Sequence, residues 1–124
     1  MTSRPRAFVV HQPMRYDKPS ESWVPNVDLS GAGEYGDLIF VLNTPERPPL
    51  DPEASLPTLR DKLKDFQKHD YLVLAGDMNL VAYAVVLATK ATGGYVNLLR
   101  WHPRDHRYIA LPSQVYTEQT QVAA

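Results

Sequence analysis

Residues 70–101 read DYLVLAGDMNLVAYAVVLATKATGGYVNLLRW, and this stretch decides the fold class. Tyr71 to Ala75 is an apolar run of strand length, and Asp77 stands where a helix N-cap belongs because its short carboxylate can accept free backbone N–H groups. A helix is expected from about Met78 to Thr92, with Gly93 in the left-handed position that follows a helix C-terminus. Tyr95 to Trp101 then reads as a second strand, completing a β-α-β unit. The helix carries a single charge, Lys90, near the negative end of its dipole, so it is expected to lie flat on a sheet as a core helix or to be completed by a partner.

Upstream of that unit, Ser55 suits an N-cap, Pro57 fits a first helical turn, and Leu56, Leu59, Leu63 and Phe66 share one face. An amphipathic helix ending near His69 follows, with Arg60, Asp61, Lys62, Lys64, Asp65 and Lys68 as its solvated face. Asp37 to Asn43 is an apolar run without alternation, the pattern of a strand covered on both faces, and is expected to lie inside the sheet. Residues 44–54 begin with TPERPPLDP, whose prolines cannot donate ladder hydrogen bonds, and are expected to be a stiff surface loop. Arg6 to His11 is a further strand. Residues 14–36, punctuated by Pro19, Pro25, Gly31, Gly33 and Gly36, are expected to be a loop with at most a helical turn near Ser30 to Tyr35.

Downstream, Tyr95 to Trp101 and Arg107 to Leu111 flank a turn at His102-Pro103-Arg104-Asp105-His106, as in an antiparallel hairpin at a sheet edge. Residues 112–124 lack periodicity and are expected to be a mobile tail. The expected fold is therefore a small α/β single-domain sandwich spanning 1–124, with a roughly five-stranded mixed sheet. Three strands alternating with helices should be parallel and the last antiparallel. The pattern leaves the place of Arg6–His11 open.

With 13 basic against 14 acidic residues, the chain has no global field to draw it to nucleic acid or an anionic membrane. The absence of cysteine removes disulfides, thiolate zinc sites and cysteine nucleophiles. The longest apolar run, Leu80 to Ala88, is too short for a bilayer, so a cytoplasmic protein without a membrane partner is expected.

No catalytic constellation stands out, and neither a cofactor nor a metal is expected. Gly76-Asp77 ends a strand just before a helix N-terminus, so Gly76, Asp77 and Asn79 are candidates for holding a nucleotide or phosphate. Asp77 is equally an ordinary cap whose charge would repel a bare phosphate, and no phosphate-loop motif accompanies it. His69-Asp70 is an adjacent pair whose side chains point apart on extended chain. His102 and His106 have the spacing of a helical zinc pair, but Pro103 opposes the helix. No serine sits in a G-x-S-x-G elbow. The densest polar feature is the hairpin, with Arg100, Trp101, His102, Arg104, His106, Arg107 and Tyr108. Such a set suits a protein partner or, locally, single-stranded nucleic acid; charges on an edge hairpin also prevent unwanted pairing, and Trp101 and Tyr108 suit a cross-strand pair.

The succession Asp70-Tyr71-Leu72, Gly76-Asp77, an Ala-rich helix, Gly93-Gly94, Leu98-Leu99-Arg100-Trp101 and Arg107-Tyr108 resembles small uncharacterised proteins encoded by tailed bacteriophages. The likeness extends to Phe8-Val9-Val10, Asp28-Leu29-Ser30 and Tyr35-Gly36; Met78 and His102 stand where those proteins often have proline and aspartate. The resemblance implies an infected bacterial cytoplasm as the setting and transfers no catalytic residue. Together these readings point to a non-enzymatic phage accessory protein that binds a host or phage macromolecule through the hairpin, with homo-oligomerisation open. Nucleotide or phosphate binding at Gly76-Asp77 is the alternative, and nucleic-acid binding by the hairpin the second alternative.

Overall fold

The computed structural model describes residues 4–12, 14–25, 28–42 and 52–117. Five strands form one sheet: β1 (Arg6–His11), β4 (Asp37–Leu42), β5 (Tyr71–Val73), β6 (Tyr95–His102) and β7 (Arg107–Gln114), in the order β4-β1-β5-β6-β7. The first four are parallel and β7 runs antiparallel to β6. The α/β sandwich with a C-terminal hairpin is therefore as expected, and β1 takes a central place between β4 and β5.

Because β1 is central, both its faces must be covered, and its run Ala7-Phe8-Val9-Val10 is apolar throughout. Phe8 and Val10 point into a core closed by α1 (Leu56–Leu63) and α2 (Met78–Ala91) through Leu59, Leu63, Leu80, Ala84 and Ala88. Ala7 and Val9 point to the opposite face, where Leu29 and Ala32 from the segment before β4 pack with Val73, Leu99 and Tyr108. That segment contains the expected helical turn, a 3₁₀ turn at Ala32–Glu34.

The 14–36 stretch is more ordered than a loop: β2 (Met14–Asp17) and β3 (Ser22–Pro25) pair as a two-stranded hairpin. Its turn is closed by Asp17, whose carboxylate accepts the Ser20 hydroxyl at 2.7 Å and the Ser20 N–H at 3.2 Å. The Tyr16 and Trp23 rings meet edge to face 5.7 Å apart. A polar composition hid these strands, whose alternation is carried by only a few side chains.

Helix α1 ends at Leu63, short of the expected His69, because the chain bends to deliver Asp70 to β1. The Asp70 carboxylate is fully buried and accepts the Arg6 backbone N–H at 3.0 Å, Arg6 Nε at 3.4 Å, Arg6 Nη2 at 2.8 Å and the Gln67 N–H at 2.9 Å. Phe66 keeps its place in the core, 5.4 Å from the Phe8 ring. Ser55 makes no side-chain cap bond, since it closes a 3₁₀ turn at Pro52–Ser55 and already has helical dihedrals. Helix α2 matches expectation: Asp77 caps it, and Gly93 at φ +77 and Gly94 at φ +121 end it through N–H bonds to the Lys90 and Thr89 carbonyls. The Pro-rich residues 44–51 lie outside the described residues. Of the expected tail, residues 112–114 complete β7, Val115 and Tyr116 donate to the Gly94 carbonyl, and 118–124 lie outside the described residues.

Candidate functional site

Ligands of parallel sheets usually lie beyond the carboxyl ends of strands, where the strand order reverses, here between β1 and β5. In this chain backbone fills that place. Gly76, at φ +117, sits so close to the end of β1 that a Cβ there would stand 2.6 Å from the His11 carbonyl oxygen. Asp77 Oδ2 meanwhile accepts the N–H groups of Asn79 and Leu80 at 3.1 and 3.2 Å, so two helix N-terminal donors are already used. Gly76, Asp77 and Asn79 are thus brought together, but as the turn and cap that start α2.

The hairpin is different. In the β6–β7 register Trp101 faces Tyr108 and His102 faces Arg107, so neighbouring residues alternate between the two faces of the sheet. Trp101 is 39% exposed, with its ring edge to face against Tyr108 at 5.2 Å and His106 at 6.0 Å. His106 adopts φ +50 to close the turn, while His102 Nδ1 accepts the Asp105 N–H at 3.2 Å. Asp105 Oδ2 lies 3.6 Å from both His102 Nδ1 and Arg107 Nε, and it gives Arg107 a nearby counter-charge. Arg100 and Arg104 are exposed. Tyr108, grouped with these residues by sequence, is buried and belongs to the core.

Beside Trp101 lies a hollow of about 350 Å³, walled by His106, Arg107 and Tyr108 on the hairpin side and by Asp28, Glu34 and Tyr35 on the other. Two tyrosines tie these walls together: Tyr35 donates its hydroxyl to the Tyr108 carbonyl at 2.9 Å, and Tyr108 donates its own to the Asp28 carbonyl at 3.2 Å. The Ser30 hydroxyl and N–H hold the Asp28 carboxyl below its usual range. The second wall was hidden in a stretch read as loop. Its signals were Asp28-x-Ser30, an Asx-turn spacing, and the aromatic Tyr35.

Residues 5–115 match the family model described as Phage Pam3 gp32-like protein. The chain belongs to that family. The gp32-like match spans the whole five-stranded sheet and both walls of the hollow, and agrees with the resemblance to small phage proteins. No curated protein matches, and no solved structure matches. Among the described residues of this gp32-like protein, no group of acidic residues and histidines is arranged to hold a metal ion, and no helix is long and apolar enough to cross a membrane.

Burial, together with the nearby Asp28 charge, raises the Tyr108 hydroxyl above its ordinary pKa of 10.0. A raised acid pKa means the folded state keeps a proton that the unfolded state releases, so this contribution is complete below pH 10 and is lost as pH rises through the folded value. In an alkaline titration of tyrosinate absorbance, one of the seven tyrosines is expected to ionise late, and Tyr108→Phe should remove that late step. A titration curve unchanged in shape by the substitution would contradict this assignment.

Proposed function

We propose that this phage protein works as a non-enzymatic accessory factor that holds a protein of host or phage origin against the tip of the β6–β7 hairpin. The observation that supports this reading most is Trp101. It is a large, partly exposed ring held rigid between two other rings, beside a hollow and among exposed arginines. Tryptophan and arginine are the residues on which protein interfaces most often depend, because they combine large buried area with directed polar contacts. The near balance of charge argues against nucleic acid as the main partner. The filled strand-end crevice argues in the same direction against a nucleotide at Gly76-Asp77.

The test is capture from infected-cell lysate, followed by titration of the purified partner. Trp101→Ala is expected to weaken binding by about 2 kcal/mol or more, roughly 30-fold, and Arg104→Glu to weaken it with a marked dependence on salt. Lys62→Glu, on the solvent face of α1, serves as the control and should bind normally. Equal affinity for the Trp101 and Arg104 variants and the parent would rule the hairpin out as the interface.

A further inference from the structure

The hollow beside Trp101 has two chemically unlike walls. All of its lining lies within residues 28–35 and 101–108, which the structure describes throughout. On the wall before β4, Asp28 and Glu34 are exposed carboxylates. Among the described residues neither has a lysine, arginine or histidine within ion-pair distance. The hairpin wall carries Arg107, whose counter-charge is Asp105 of the same hairpin, at 3.6 Å.

The neutral groups deepen the imbalance. Tyr35 and Tyr108 each have one hydroxyl proton and give it to a carbonyl, so both oxygens are left as acceptors. The Ser30 hydroxyl proton is engaged in the same way by the Asp28 carboxylate. Asp28, Ser30, Glu34, Tyr35 and Tyr108 therefore present acceptors with no side-chain proton to spare, next to the partly exposed ring of Trp101. The donors, His106 and Arg107, stand together on the hairpin side.

A ligand that complements this lining brings positive charge, several N–H donors and a flat face. We infer that the hollow receives an arginine side chain, its guanidinium edge toward Asp28 and Glu34 and its plane on the Trp101 ring. A guanidinium carries its donors in a planar fork that suits carboxylates and also stacks on tryptophan, whereas a lysine ammonium has no plane to stack. The volume of about 350 Å³ lies at the small end of ligand pockets, which run from about 300 to 1,000 Å³, and has room for one such side chain. Only the source of that arginine, a partner protein seated on the hairpin, rests on the function proposed above.

The isotope-labelled full chain has two tryptophan indole signals in its NMR spectrum, from Trp23 and Trp101. N-acetyl-arginine methylamide is expected to shift the Trp101 signal with a millimolar dissociation constant and to leave the Trp23 signal in place. The citrulline and glutamate counterparts, neutral and acidic, should move neither. Glu34→Gln and Asp28→Asn should each weaken the arginine probe about tenfold. Asparagine keeps an acceptor for the Ser30 N–H, so the turn survives the loss of charge. No shift of Trp101, an equal shift with citrulline or glutamate, or undiminished binding to both charge variants overturns the inference. In titrations with the captured partner the same two variants should bind more weakly. Weakening by Trp101→Ala alone would keep the hairpin as the interface and remove the arginine from it. Probe binding with parental partner affinity in all three variants would keep the arginine pocket and remove the hairpin as the partner's seat.

Discussion

Replacement of Asp70 by alanine is expected to cost about 3–5 kcal/mol of stability, lowering Tm on the order of 10–20 °C. The carboxylate is fully buried and satisfies four donors, two of them the backbone N–H groups of Arg6 and Gln67. Without it those N–H groups lose their acceptor, each at a cost of roughly 1–3 kcal/mol, and the Arg6 guanidinium loses its nearest counter-charge. Arg6 keeps Asp65, a more exposed partner whose carboxylate lies at 3.5 Å and whose carbonyl accepts Nη2 at 3.0 Å, and the Phe8 ring below its guanidinium. Urea unfolding monitored by circular dichroism measures the loss, and a cycle with Arg6→Met isolates the pair's share. A loss below about 1 kcal/mol would mean the contact behaves as a surface ion pair. High salt should move the parent protein little, because a buried pair is weakly screened.

Gly76→Val is expected to be nearly as damaging, at roughly 2–4 kcal/mol, for an unrelated reason. At φ +117 an L side chain is strained, and its Cβ would stand 2.6 Å from the His11 carbonyl oxygen and 3.0 Å from the His11 Cβ. The obstructing atoms belong largely to the central strand, which cannot move aside without disturbing its pairing with β4 and β5. Gly33→Ala is the contrasting case, since its nearest neighbour is Leu38 Cγ at 3.9 Å. That substitution should fall within about 0.5 kcal/mol of the parent in thermal melts. Similar losses at both positions would show that backbone approach at Gly76 is not what matters.

The parts legible in the sequence were those where local chemistry and tertiary role coincide. Asp77 and Gly93 mark the two ends of α2 because capping is a property of a few neighbouring residues. The apolar run of β1 announces a strand covered on both faces, whereas the similar run of β4, which reads as a strand inside the sheet, lies at its edge with only Val41 buried, because strand order is set by distant pairing and not by composition. The parts that stayed hidden depend on distant residues. Helix α1 stops at Leu63 because Asp70 must reach Arg6, a contact between residues 64 apart that no helical periodicity can report. The hairpin's Trp101, His106 and Arg107 were visible as a cluster, but the opposing wall of Asp28, Glu34 and Tyr35 comes from a stretch whose composition reads only as turn. Tyr108 looked like a surface aromatic and is a core residue, because the segment before β4 covers it and its hydroxyl donates to the Asp28 carbonyl of that segment.

The central position of β1 also has a consequence for how the chain is made. β1 leaves the ribosome before the strands it must lie between, and Ala7-Phe8-Val9-Val10 has no partner until β4 and then β5 have been synthesised. Closure of the sheet waits for Asp70, 64 residues after Arg6, so folding is dominated by long-range contacts and is expected to be slow. During that interval an apolar strand is exposed to every other nascent copy. A cell that makes this protein in quantity would depend on its chaperones, or on modest expression, to bring β1 safely to its place.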